Sequence, residues 1–159
     1  MDIWNYYDGD LKYPNIFDHL HEKEIAKSNY KLAYWYAYEH GKFPEGESEI
    51  AKNTLTSFYY TIDVLKDRFY LGEPAIAKDS RLSYEYAKDI VKGEFKLGEK
   101  AIAEIAENSY LYARWVIHKP FPLGEPEIAK DARWSHEYTK YVLKKDFYLN
   151  GKLICKYES

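Results

Sequence analysis

Four serines recur along this chain at an even spacing, Ser57, Ser83, Ser109 and Ser135, and four glutamates recur with them, Glu47, Glu73, Glu99 and Glu125. A repeated serine raises nucleophilic catalysis, which needs a base within hydrogen-bond reach. Only Ser135 has a histidine beside it, His136, so a cap or a helix–helix hydrogen bond is the better reading of the serines. The carboxylate column could bind cations or a basic partner. Helix-start electrostatics explain it more simply, because every copy needs a negative charge there. "HLHEKE" sets His19 and His21 beside Glu22 and Glu24. A metal would need a further ligand, for which His40 is the nearest candidate, and a His-x-His pair alone reads as exposed histidines. "DGD" at Asp8 to Asp10 lacks the rest of a calcium loop, and no glycine-rich phosphate loop is present. The sequence assigns no catalytic residue, metal or cofactor, and the chain is expected not to be an enzyme.

Two other sets of residues point to binding. Lys52, Lys78 and Lys130 form a basic column, helped by Arg81 and Arg133, and Arg114 aligns with Lys88 and Lys140. With tyrosines interleaved, such columns could track a phosphate backbone while bases stack on the rings. The alternative is a solvated helix face neutralised by acids such as Glu85 and Asp79. The second set is aromatic and breaks the register. Trp115 stands where the preceding copy has Asp89, Tyr141 falls in the same column, Trp134 replaces Leu82, and Tyr59 replaces Glu85. Trp and Tyr are frequent interface anchors, so these four are candidate partner-binding residues, with an extended core as the alternative.

All these columns share one period. Gly46-Glu47, Gly72-Glu73, Gly98-Glu99 and Gly124-Glu125 step by 26 residues, as do Phe43, Phe69, Phe95, Phe121 and Phe147. Tyr60, Tyr86, Tyr112 and Tyr138 keep the same step. The first copy slips: Ile25-Ala26 precedes Ile50-Ala51 by 25. One such unit cannot bury both of its faces, but a stack of them can. The spacing predicts a single domain: an N-terminal cap over 1–24, five repeats over 25–148, and a C-terminal half-repeat over 149–159.

Within a unit, "GEPAIAKD" predicts a short helix starting near Pro74, where a missing N–H is harmless and Glu73 suits the dipole. "SRLSYEYAKDIVKG" predicts a longer helix capped by Asp79 or Ser80, with Ser83, Tyr86, Ala87, Ile90 and Val91 on its buried face. Gly93 is a plausible stop. The predicted fold is all-α, with tandem short helix pairs stacked as a small α-solenoid. A compact helical bundle around one core is the rival.

Composition narrows the classes further. The chain has 159 residues, enough for one domain, and a net charge of −3 that argues against a DNA-coating protein. Its 18 Tyr, 4 Trp and 7 Phe must be buried or shown to a partner. The single cysteine, Cys155, excludes an internal disulfide, fits a reducing compartment such as the cytoplasm, and aligns with a column of small buried residues. No signal peptide and no membrane span are expected.

The stretch "LGEPAIAKDSRLSYEYAKDIVKGEF" resembles a repeat found in tandem in proteins of tailed phages and other viruses, and the resemblance covers roughly Phe17 to Lys156. It implies an origin in a phage or virus and work inside an infected cell, in the host cytoplasm. It carries no activity and no catalytic motif to transfer. Ile105, Trp115 and His118 depart from the pattern. The expected function is a non-enzymatic protein-binding module that occludes a host protein, a defence component being one such target. The alternative is nucleic-acid binding through the basic columns.

Overall fold

The repeat becomes helices in a computed structural model that describes residues 23–24 and 26–158. The expected cap over 1–24, apart from Lys23 and Glu24, lies outside the described residues, and with it His19, His21 and Asp8 to Asp10. The first long helix is α1 (Tyr30–His40). Pairs of a short and a long helix follow: α2 (Glu47–Ile50) with α3 (Thr54–Tyr59), α4 (Glu73–Ile76) with α5 (Ser80–Tyr86), α6 (Glu99–Ile102) with α7 (Ala106–Tyr112), and α8 (Glu125–Ile128) with α9 (Ala132–Tyr138). The protein is mostly helical, and each long helix packs on the short helix of the next pair.

Each long helix from α3 onward ends in a π-turn, over Tyr60–Leu65, Ala87–Val91, Ala113–Ile117 and Thr139–Leu143. A left-handed residue closes each turn: Lys66, Lys92, His118 and Lys144, with φ of 56, 54, 52 and 53°. The N–H of each reaches five residues back, as from Lys66 to the Thr61 carbonyl at 2.9 Å. The first copy departs at this turn. Ala33 takes the place of Ser57 against the next glycine, and α1 continues as plain α-helix to Gly41, φ 89°. Ala33 is ten residues before Phe43, whereas Ser57 is twelve before Phe69. The first copy is two residues shorter over this stretch, and the missing π-turn accounts for one of them.

The recurring tyrosines tie the fold together. Tyr86 donates to Glu73 at 2.9 Å and accepts from the Phe69 N–H at 3.1 Å. Tyr60, Tyr112 and Tyr138 do the same with Glu47 and Phe43, Glu99 and Phe95, and Glu125 and Phe121. Burial pushes all four hydroxyls well above the usual tyrosine range, so each stays a donor. Each ring also packs edge-on against the following phenylalanine, as Tyr86 on Phe95 at 5.0 Å. The structural unit therefore starts at the phenylalanine: 43–68, 69–94, 95–120 and 121–146.

The serines bond the long helix to the short one. Ser57, Ser83, Ser109 and Ser135 each donate to the carbonyl of the isoleucine seven residues earlier, at 2.8–3.1 Å. Those isoleucines, Ile50, Ile76, Ile102 and Ile128, are fully buried, worth about 1.5–3 kcal/mol each. A glycine of the next unit seats directly on Ser57, Ser83 and Ser109: a Cβ added to Gly98 would lie 2.8 Å from the Ser83 Cβ.

Long helices start on Asn53, Asp79 and Asp131, whose side chains accept backbone N–H groups of the first turn. The fourth long helix, α7, starts instead on Ile105, which offers no such bond and is 48% exposed. Ile105→Asp is expected to raise stability by about 1 kcal/mol, read as a higher urea midpoint.

The chain ends differently from the half-repeat expected from Leu149. Phe147–Leu149 (β1) and Lys152–Cys155 (β2) form an antiparallel hairpin, with Tyr148 opposite Leu153. Asn150 and Gly151 turn it with φ of 51° and 77°, the two positive values that an Asn-Gly hairpin turn uses. Phe147 still meets Tyr138, at 5.4 Å, so the hairpin covers the end of the last unit. Cys155 accordingly sits half-buried on a strand and not in a short helix.

Candidate partner-binding site

The register-breaking aromatics lie on the last two long helices. The unit 43–68 carries Asp63 at this column, accepting the Tyr34 hydroxyl at 2.7 Å, and the unit 69–94 carries Asp89, 3.5 Å from Lys88. The units 95–120 and 121–146 carry Trp115 and Tyr141, which are 53% and 40% exposed. Between them lies the Arg114 guanidinium, 4.5 Å from the Trp115 ring centroid and 3.9 Å from that of Tyr141. A cation between two ring faces is held by their quadrupoles, and its planar fork stays oriented.

Arg114 also joins this pair to Trp134. Its Nη1 donates to the Tyr110 hydroxyl, and Tyr110 donates in turn to Glu137 at 3.2 Å. Burial raises the Tyr110 hydroxyl above its ordinary range, which keeps that proton in place. The Tyr110 ring packs on Trp134 at 5.4 Å, and Arg133 lies over Trp134 at 4.4 Å. Lys140 approaches Tyr141 at 5.3 Å. The structure thus gathers Trp115, Tyr141 and Trp134 into one surface with Arg114, Arg133 and Lys140. Tyr110 and Glu137 complete it, and the sequence reading did not select them. Tyr110 shares its column with Tyr84 and Phe58, so nothing in the sequence marks it out.

Tyr59 is not part of this surface. Its half-buried ring meets Phe58 at 5.5 Å and packs against the cores on both sides of α3. It falls where a long helix faces its neighbours, and packing there takes the ring inward.

The basic residues divide into two groups. Lys52 and Lys130 pair with Glu49 and Glu127 three residues before them. Arg81 reaches Glu85 at 3.1 Å, and Lys88 reaches Asp89. Lys78 is exposed. These positions form a solvated face laced with local ion pairs, each worth little. Arg114, Arg133 and Lys140 belong to the aromatic surface.

The glutamate column is occupied by its tyrosine bonds, and Glu73 also pairs with Arg68 at 2.7 Å. No three His, Cys, Asp or Glu among the described residues gather as metal ligands. No helix of the described residues is long and apolar enough to cross a membrane. No protein-family model, curated protein or solved structure matches this chain.

Proposed function

We propose that this chain is a non-enzymatic binding module, a small α-solenoid of phage or viral origin that occludes a host protein in the host cytoplasm. The observation that carries the reading is the replacement of the acids Asp63 and Asp89 by Trp115 and Tyr141 around Arg114, both rings open to solvent. Exposed Trp, Tyr and Arg on a rigid face have the composition of an interface hot spot. Helical packing fixes the face before binding, so little order is lost on docking. Blocking a component of host defence is the purpose that the resemblance to phage repeats suggests.

The alternative is a nucleic-acid binder whose bases stack on Trp115 and Tyr141. It needs a run of free cations along the strand. Local pairing of Lys52, Arg81, Lys88 and Lys130 with acids weighs against it.

A tagged chain is incubated with host-cell lysate, with and without nuclease, and its captures are identified by mass spectrometry. A stoichiometric protein is expected to survive nuclease. Trp115→Asp, which restores the acid of the column, is expected to weaken its capture at least about tenfold. Full-strength capture by the variant refutes the aromatic surface, and capture that vanishes with nuclease selects the nucleic-acid reading.

A further inference from the structure

Beside the aromatic surface, the C-terminal turns of the last two long helices enclose a groove of about 230 Å³ lined by Ala113, Arg114, His118, Tyr141, Val142 and Lys144. We infer that this groove receives a carboxylate from an acidic segment of the partner protein, an inference that rests on the protein-binding reading above.

The lining holds three basic side chains and no acid. Arg114 spends one nitrogen, Nη1, on Tyr110, with Glu137 3.8 Å from the same atom. Its Nε and Nη2 make no hydrogen bond among the described residues, so the fork is left for a two-point contact with a carboxylate. The Tyr141 face at 3.9 Å holds the guanidinium plane for that contact. Neither His118 nor Lys144 pairs with a carboxylate among the described residues, although the adjacent Lys119 bridges to Glu94.

Charge balance points the same way. Residues 132–159 hold six Lys and Arg against three Asp and Glu, in a chain whose net charge is −3. Counted over the whole last unit and its hairpin, 121–159, there are seven Lys and Arg against six Asp and Glu, whereas 1–120 holds sixteen against twenty, so an acidic partner meets less repulsion at this end. A nucleic-acid strand would need cations continuing away from the groove, and Arg81 and Lys88 on the unit 69–94 are already paired. Helix C-termini disfavour an anion. The attraction therefore rests on the charges of Arg114 and Lys144, with His118 a hydrogen-bonding neighbour, and reversing one charge is decisive.

The full chain, labelled with ¹⁵N, is titrated with hexaglutamate, with hexaglutamine and with a six-nucleotide oligothymidine. Hexaglutamate is expected to shift the amides of Arg114, His118, Tyr141 and Lys144, and hexaglutamine is not. Lys144→Glu is expected to weaken the hexaglutamate response about tenfold, whereas Lys78→Glu, on another unit, leaves it unchanged. Absence of these shifts, an even spread over all lysines, or tighter binding of oligothymidine at the same amides overturns the inference. A Lys144→Glu chain that captures its host protein at full strength, where Trp115→Asp captures none, also overturns it and leaves the binding module standing.

Discussion

Gly98→Ala lowers the stability of this chain by about 3 kcal/mol, a large effect for one methyl group. The added carbon would lie 2.5 Å from the Phe95 ring and 2.8 Å from the Ser83 Cβ. Phe95 is clamped between Tyr86 and its own unit, and Ser83 is held by its bond to the Ile76 carbonyl. Neither neighbour yields without moving a helix. Urea unfolding followed by circular dichroism measures the change. Gly93→Ala is the internal comparison: a Cβ there meets nothing within 4 Å, so it stays within about 1 kcal/mol of the parent. Equal losses at both positions would falsify the close approach of successive units as the reason for the glycine column.

Tyr86→Phe is expected to cost about 2 kcal/mol while leaving the ring contact with Phe95 intact. The lost hydroxyl leaves the buried Phe69 N–H without an acceptor and takes one donor from the buried Glu73, which keeps its bond from Arg68. Tyr84→Phe on the same helix, where the hydroxyl makes no comparable link, changes stability by less than about 0.5 kcal/mol. The same four tyrosines set the alkaline limit. Their folded hydroxyls hold the proton more tightly than an unfolded tyrosine does. Their stabilisation is therefore complete below about pH 10, the unfolded value, and is lost as pH rises above it. A urea midpoint that stays level from pH 9 to 11 would count against this account.

The units, the cap at Asp79 and the two-helix pattern were legible because each depends on local spacing. The π-turns were not: one additional residue per turn leaves the period unchanged from copy to copy, and only the slip at the first copy hinted at it. The Glu–Tyr bond was hidden for a different reason. It joins two helices across a turn, so the glutamates read as helix-start charges when their partner is a phenol thirteen residues on. At Asn150-Gly151 a local hairpin signal competed with the repeat, and the turn chemistry prevailed. In the candidate site, Trp115, Tyr141 and Trp134 were found as departures from their columns. Tyr59 departed equally and turned inward, since column arithmetic records a change of residue and not which way the helix faces.

The tyrosine links have a consequence for how such a protein changes over generations. Each hydroxyl closes its bonds inside one unit, and each ring and glycine reaches only the adjacent unit. A recombination that deletes 69–94 would join Arg68 to Phe95, set Tyr60 on Phe95 and lay Gly98 on Ser57, with every buried N–H still satisfied. Length can then drift in whole units without passing through an unfoldable ancestor. The patch on the last two units and its hairpin would travel unchanged, and the units before them would act as an adjustable spacer that evolution can lengthen or shorten.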